Sequence, residues 1–435
     1  MHSPGALILL RSAAYLSCVA LSSAAIAQDA DILADFRLDD PAFDSGGFIT
    51  VRERPQPQYD PVPLRLGRIA LTPRATARAL YDSNIFASGE ATGDLILRPA
   101  AGADAEWASG SLAVEADADV ERRQYLDHGA QSTTDYGLGA ALRYAPRRNT
   151  ALFAGARIGR ETESLADPSA PLNSRRPVQY DILSSFVGAA RGFNRLRVAG
   201  RLSAEDRRFG DGVDAFGDPI EQDFRNRTLL TAEVATEYAL GPNRSLFALV
   251  SANRRDYRNR PALDPVRDSR GYRVEAGASF MLTPLIRGRI GAGYFSQDFE
   301  SPLFSTVSGL AVRGRLEYLV TQLVTLSLTA SRGVEESSTL GSGAFVATRV
   351  GMQADYELFR NLILSASVSE ERDRFQDLDR RYAIRRAGLS AGYRLSPRFR
   401  IDAEYEARDQ DSRGAAPGRD FVRHQVTLGF TVQGL

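Results

Sequence analysis

Through most of the chain, apolar and polar side chains alternate. Leu112 to Glu121 reads LAVEADADVE, which puts Leu112, Val114, Ala116, Ala118 and Val120 on one side and Ala113, Glu115, Asp117, Asp119 and Glu121 on the other. Successive side chains of an extended strand point to opposite faces, so this stretch is a strand with one apolar and one mostly acidic face. The same alternation marks Tyr136 to Tyr144, Val178 to Ala190, Leu196 to Ala204, Tyr272 to Leu282, Leu310 to Val320, Val346 to Leu358, Leu389 to Leu395 and Val426 to Val432. With the turn signals between such runs, about 18 strands, in a range of about 16–18, are expected from Ile69 to the end.

One unit recurs: an aromatic residue, two further residues, a polar or Pro-containing turn, and a new alternating run. It reads YALGPNRSL from Tyr238, FMLTPLIRG from Phe280, YLVTQLVTL from Tyr318, YELFRNLIL from Tyr356 and YRLSPRFRI from Tyr393, with YAPRRNTAL from Tyr144 a looser copy. The anchors from Tyr238 onward lie 42, 38, 38 and 37 residues apart. A period of this length means one supersecondary unit repeated, here a strand hairpin. Short turns are expected near Ser109, Arg147, Asn194, Pro242, Pro284, Gln322, Arg360 and Pro397. Longer polar loops fall near Gly89, Gly129, Pro171, Gly212, Pro261, Ser301, Ser338, Asp377 and Gly414. Short connections at one rim and long ones at the other are the anatomy of an up-and-down barrel in an outer membrane.

The polar face decides between a barrel in lipid and a soluble stack of sheets. It carries Arg197 and Arg201, Arg273 and Glu275, Arg287 and Arg289, Arg313, Arg315 and Glu317, Arg349, Asp355 and Glu357, and Asp402 and Glu404. An Arg facing lipid at mid-membrane costs roughly 2–4 kcal/mol, so this face must see water. So many long strands in one sheet leave open edges unless the sheet closes. The expectation is therefore an all-β, antiparallel transmembrane barrel, apolar outside and ionic within. These charged residues would line its lumen, either bracing the wall as ion pairs or setting a field across it. Tyr144, Tyr238, Phe280, Tyr318, Tyr356 and Tyr393, each just before a short turn, would form an aromatic girdle at the periplasmic interface.

Composition narrows the reading further. With 54 basic and 54 acidic residues the formal net charge is zero, which argues against a nucleic-acid binder. There is no Lys, so every basic residue apart from the His is Arg, a bias explained by genome composition or by an Arg-rich conduit wall. Mean hydropathy is −0.26, and no long apolar run follows the N-terminus to make a membrane helix. Residues 1–27 combine Arg11, an apolar stretch and the pair Ala25 and Ala27 at signal-peptidase spacing, the pattern of a cleaved secretory signal. Cys18, the one cysteine, lies inside it. Residues 28–68 are polar, with Pro55, Pro57, Pro61 and Pro63 near their end, and are expected to be an extended periplasmic lead-in: a linker, a partner contact or a segment entering the lumen. Residues 69–435 are the barrel.

Residues Arg52 to Ser88 hold a Pro-rich approach, Tyr59-Asp60-Pro61, Leu66-Gly67 and the hexapeptide YDSNIF from Tyr81. This stretch resembles the start of the putative beta-barrel porin 2 family. The resemblance implies an outer-membrane barrel of a Gram-negative cell, and for some members a link to production or export of surface polysaccharide. It supplies no catalytic residues. Val426, Leu428, Phe430 and Val432 alternate as a last strand should, although the chain ends in Gly434-Leu435 where such barrels commonly end in Phe.

Candidate chemistry is sparse. His128 with Ser132 and Asp135 matches no known lipase spacing. The loop from Gly210 to Asp218 has three Asp but no calcium-binding register, so turn chemistry accounts for it. Arg254, Arg255 and Arg258 are candidates for lipopolysaccharide phosphates. No catalytic, cofactor or metal residue is assigned and no enzyme is expected. The expected function is a porin-like conduit or accessory barrel for exopolysaccharide or capsule export. The alternatives are a diffusion porin for small polar solutes and a plugged structural or adhesive barrel. Its partners would be outer-membrane lipid and lipopolysaccharide, the barrel assembly machinery and polysaccharide-export components.

Overall fold

A computed structural model describes residues 48–258, 266–337, 339 and 341–434. Residues 1–27, expected to be a signal, with Cys18, residues 28–47 of the expected lead-in, Pro261, Ser338 and Leu435 lie outside the described residues. Eighteen long strands form the wall. They are β1 Ile69–Asp82, β2 Asp94–Ser109, β3 Leu112–Tyr125, β4 Thr133–Arg147, β5 Thr150–Thr162, β6 Gln179–Phe193, β7 Leu196–Phe209, β8 Arg227–Gly241 and β9 Arg244–Tyr257. The second half is β10 Ser269–Thr283, β11 Ile286–Phe299, β12 Val307–Thr321, β13 Val324–Glu336, β14 Ala344–Phe359, β15 Leu362–Phe375, β16 Arg381–Arg394, β17 Phe399–Arg413 and β18 Phe421–Gln433.

Each strand pairs antiparallel with its neighbours in sequence, and β1 pairs with β18 from Arg74↔Gln433 to Asp82↔Gln425, which closes the cylinder. The closing pair is short at the turn end. There the chain doubles back at Gly67 (φ +63°), and a short strand, Leu64–Leu66, pairs with Leu71 to Ile69. Gly434 donates its N–H to the Pro73 carbonyl (2.9 Å). The seam is thus caulked from both ends of the described chain.

The repeated unit has a structural cause. After Tyr144, Tyr238, Phe280, Tyr318 and Tyr356 the register slips in a bulge before the turn. On its other side the strand runs one bond further, and the N–H of the next residue reaches the carbonyl of the preceding hairpin's turn. The bonds are Ala145 to Ser111 (2.7 Å), Ala239 to Arg195 (2.8 Å), Met281 to Asn243 (2.9 Å), Leu319 to Leu285 (2.8 Å) and Glu357 to Leu323 (2.9 Å). Without them these turn carbonyls would be left to solvent alone. The bonds run hairpin to hairpin along the rim.

Outward side chains form the apolar band. Leu202, Val234, Val350, Leu389 and Leu428 point out and are exposed, whereas Arg197 and Glu275 on the other parity are buried. All six turn-side anchors lie on the outward face. A second outward row, Tyr81, Tyr136, Tyr272, Tyr294 and Tyr405, stands toward the loop side. Eight residues separate Tyr136 from Tyr144 and Tyr272 from Phe280; at the usual rise and tilt this is a band roughly 20 Å tall. Beyond it the outward face turns ionic, with Arg385–Asp409 at 3.1 Å, Arg254–Asp256 at 2.8 Å and Arg372–Glu370 at 2.8 Å. The strands therefore continue past the lipid band.

Neighbouring positions on β16 test the two faces. Leu389→Arg puts a guanidinium mid-band and is expected to cost about 2–4 kcal/mol. Ser390→Arg turns inward opposite Glu404 and is expected to be neutral or mildly stabilising. Denaturant unfolding in lipid vesicles reads both; equal losses would contradict the assignment of faces.

Candidate functional site

The lumen wall is built by parity: residues that alternate with the band point inward, and neighbouring strands bring opposite charges side by side. A recurring element is one carboxylate between two guanidiniums. Glu275 sits between Arg273 (2.5 Å) and Arg313 (3.9 Å), and Glu317 between Arg287 (2.6 Å) and Arg315 (2.8 Å). Glu237 faces Arg289 (3.4 Å) and Arg197 (3.9 Å), and the Arg289 guanidinium lies 3.8 Å over the Phe247 ring. Arg201 meets Glu233 at 2.6 Å. Arg349 bonds Glu371 (2.6 Å) and Glu335, and Glu371 also takes Arg386 (2.8 Å). Arg400 holds Asp402 at 2.6 Å. Glu404 and Glu115 make no hydrogen bond or ion pair with the described residues.

Asp355 and Glu357 have a different use. The described part of the lead-in is not simply extended. It makes turns at residues 51–54 and 57–60 and runs into the turn-side mouth of the lumen. Arg52 binds Asp355 (2.8 Å), Arg54 binds Glu357, Glu53 binds Arg287 (2.9 Å), and Asp60 meets Arg394 (3.4 Å). The buried Val51 N–H donates to Thr325 Oγ1 (3.0 Å), and Phe48 lies under the Arg287 guanidinium at 4.6 Å. From Asp60 to Phe48 the segment passes β16, β14, β13 and β11. It follows the inside of the wall along six neighbouring strands and narrows the mouth on that side. Burial works to raise the Glu53 carboxyl, but the Arg287 charge and the hydrogen bonds from Thr50 and Arg287 outweigh it and hold the group below its ordinary 4.5.

The far mouth is narrowed by loops. The β5–β6 connection, residues 163–178, folds inward. Its Glu163 pairs with Arg225 (2.6 Å) of the β7–β8 loop, its Ala166 carbonyl accepts from Arg408 Nη2 (2.5 Å) of β17, and Ser169 Oγ donates to the Glu336 carbonyl (3.4 Å) of β13. Arg419, in the last loop, donates to the carbonyls of Pro171 (2.7 Å), Leu172 (2.9 Å) and Ser174 (3.2 Å). A loop that leaves β5 and touches both β13 and β17 crosses the lumen. Arg227 of β8 likewise reaches Glu336 at 2.5 Å.

Other sequence candidates do not assemble. His128 Nδ1 sits 3.1 Å from Asp94, while the Ser132 hydroxyl accepts the Tyr125 N–H and Asp135 pairs with Arg123 (3.0 Å), so the three make no nucleophile, base and orienter series. Asp214 accepts the N–H groups of Phe216 (2.8 Å) and Asp218 (2.9 Å), which is turn capping. Arg254 and Arg258 pair with Asp256 and Asp206, but Arg255 is buried, so that trio does not face one surface. Sequence reasoning passed over Glu233, Glu237, Glu335, Glu371 and Arg386. Inward parity could have found them: Glu233 and Glu237 alternate with Val234 and Tyr238, while Glu335, Glu371 and Arg386 lie in the polar loop-side parts of their strands.

The sequence profile of the family described as Putative beta-barrel porin 2 matches residues 56–434. No curated protein matches. Among solved structures, the chain is similar to the outer membrane protein opdK from Pseudomonas aeruginosa (13% identity, 83% of this chain and 99% of that one, TM-score 0.47). It is likewise similar to OccK2 (OpdF) of the same organism (12%, 85% and 98%, TM-score 0.47) and to a mutant of its ferric enterobactin receptor PfeA (9%, 83% and 80%, TM-score 0.48).

The lead-in's hold is open to measurement. Partly exposed ion pairs contribute about 0.2–1 kcal/mol each, so Asp355→Asn with Glu357→Gln is expected to raise hydrogen exchange at the Val51 amide about tenfold, with β14 amides unchanged. Unaltered exchange at Val51 would show that these pairs do not hold the segment.

Proposed function

The chain belongs to the Putative beta-barrel porin 2 family, and from that premise we propose that this outer-membrane, porin-like barrel is a narrow conduit for small polar solutes, constricted at its periplasmic mouth by its own residues 48–60. The observation that carries the reading is the lumen itself. A cylinder of 18 strands is wider than its own side chains can fill, and its inner face is ionic rather than apolar. Most guanidiniums and carboxylates there are spent on one another, so the wall is braced and leaves few fixed charges to trap a solute. Glu115 and Glu404 supply two that are unspent. The inward loop 163–178 and the lead-in favour a small cargo over a polymer.

Service to surface-polysaccharide export is the second reading. Beyond the family link, one observation favours it: the lead-in faces the periplasm, where export components would meet it, and its contacts are weak enough for a partner to displace. The role proposed for the outer surface is contact with lipid and lipopolysaccharide, and insertion through the barrel assembly machinery.

Planar-bilayer recording of the full-length protein tests the conduit. The Arg52→Ala, Glu53→Ala, Arg54→Ala triple variant is expected to conduct more than wild type, and the difference should shrink in high salt as the ion pairs are screened. Silence from both would make this a plugged structural or adhesive barrel. In cells, gene deletion is expected to slow uptake of a polar solute and leave secreted polysaccharide unchanged; loss of polymer would transfer the assignment to export.

A further inference from the structure

Three neighbouring inward positions on the last strands carry the same charge. Elsewhere on the inner wall the register sets opposite charges face to face, as with Arg287 and Glu317 or Arg349 and Glu371. Here it sets Arg386 of β16 opposite Arg408 of β17, and Arg408 opposite Arg423 of β18. All three alternate with outward residues and so point into the lumen. At the usual strand spacing their backbones fall within about 10 Å of one another. Like charges directly opposite on one face repel, so the row needs counter-charge.

The carboxylates in reach supply little of it. Glu371 bonds Arg386 (2.8 Å) but is shared with Arg349 (2.6 Å). Asp82 and Glu406 each stand 4.0 Å from Arg423, and Asp82 already accepts from the Asn84 N–H (2.9 Å) and Gln425 Nε2 (2.8 Å). Arg408 gives its Nη2 to two neutral acceptors, the Ala166 carbonyl (2.5 Å) and Gln410 Oε1 (2.7 Å), and its guanidinium lies 5.3 Å from the Phe421 ring centre. Asp167, beside Ala166, accepts the Ser169 N–H (2.8 Å) and is no ion-pair partner of Arg408 among the described residues. Arg408 and Arg423 are 5% and 6% exposed, and the Nε of each is buried without a hydrogen-bond partner among the described residues. A buried guanidinium short of counter-charge is costly. A charged oxygen is a stronger acceptor for it than the Ala166 carbonyl, and its planar fork matches carboxylate and phosphate. Tyr405 of the loop-side aromatic row stands three residues before Arg408, so the row lies where an external solute enters.

We propose that Arg386, Arg408 and Arg423 form an oxyanion-binding station at the loop-side mouth of the lumen. A carboxylate or phosphate group of a small solute docks across Arg408 and Arg423 and takes over the acceptor role of the Ala166 carbonyl, with Arg386 as the flanking third charge. The station is the exception to a wall whose charges are otherwise spent on one another. It names the cargo of the conduit proposed above as anionic, and it rests on that reading for its role in passage, though not for the binding itself. Chloride has no plane of oxygens to fill the guanidinium forks and is held poorly.

Isothermal titration of the full-length protein in detergent, with inorganic phosphate, succinate and chloride as probes, tests the station. Saturable binding of phosphate or succinate is expected, with chloride at least about tenfold weaker; the tighter of the two oxyanions tells a phosphate cargo from a carboxylate one. Arg408→Gln and Arg423→Gln should each weaken that binding about tenfold or more, the loss of one charge-assisted contact. Arg372→Gln, on the exposed outward face of β15, should leave it unchanged. No saturable binding of either oxyanion overturns the proposal, and so does an equal loss in Arg372→Gln, which would make the effect one of surface charge. Arg408 also holds the loop, so if Arg408→Gln fails to fold, Arg423→Gln decides: unaltered binding there overturns the station. In planar bilayers, current carried by chloride should fall as the bound oxyanion is added, and Arg423→Gln should remove the block. Binding without current at any concentration would bring down the conduit reading and leave the station standing; current without binding would do the reverse.

Discussion

A backbone in hydrocarbon has no water to bond, so every N–H and C=O in the band must find a partner in the protein. All else in this structure follows from that requirement. It forces the sheet to close, and closure is hardest where the first and last strands meet. There β18 runs out before β1 does, and the remaining edge is covered by Leu64–Leu66 and by the Gly434 N–H. The same demand explains the rim. Just past each aromatic anchor an N–H reaches the carbonyl of the adjacent turn, so the repeated unit also carries the ladder into the rim.

Closure creates a second problem inside. A wide cylinder needs an inner face that tolerates water, and this one meets the need with arginine and carboxylate in nearly equal measure. Pairing across strands lowers the charge each solute would meet. It also stiffens the wall, because a carboxylate between two guanidiniums ties three side chains at once. Solvent still reaches many of these groups, so individual contributions are modest. The ends are treated differently from the middle: a segment of the chain itself at one mouth, and inward loops at the other.

Much of the fold could be read from two-residue alternation. Short turns and long loops fell at opposite rims because Pro, Asn and Gly mark the first and polar runs the second. Which side chains share a face was also legible, since parity fixes it within a strand. Strand length was not. Leu389 to Leu395 was read as a strand, whereas β16 spans Arg381–Arg394, because above the lipid both faces are polar and Arg385 outside looks like Arg386 inside. Pairing partners were hidden as well. That Arg349 would meet Glu335 and Glu371 depends on register between strands, which no local pattern encodes. The Pro-rich lead-in left a linker, a partner contact and a segment entering the lumen open, and it is complementarity to carboxylates some 300 residues downstream that brings it into the mouth.

The path of residues 48–60 also orders events in time. Its four ionic handholds sit on β11, β14 and β16, and its far end is sewn to the start of β1. These handholds come together only when β11 to β16 are paired in order. A segment early in the chain therefore comes to rest only after strands far downstream of it stand side by side.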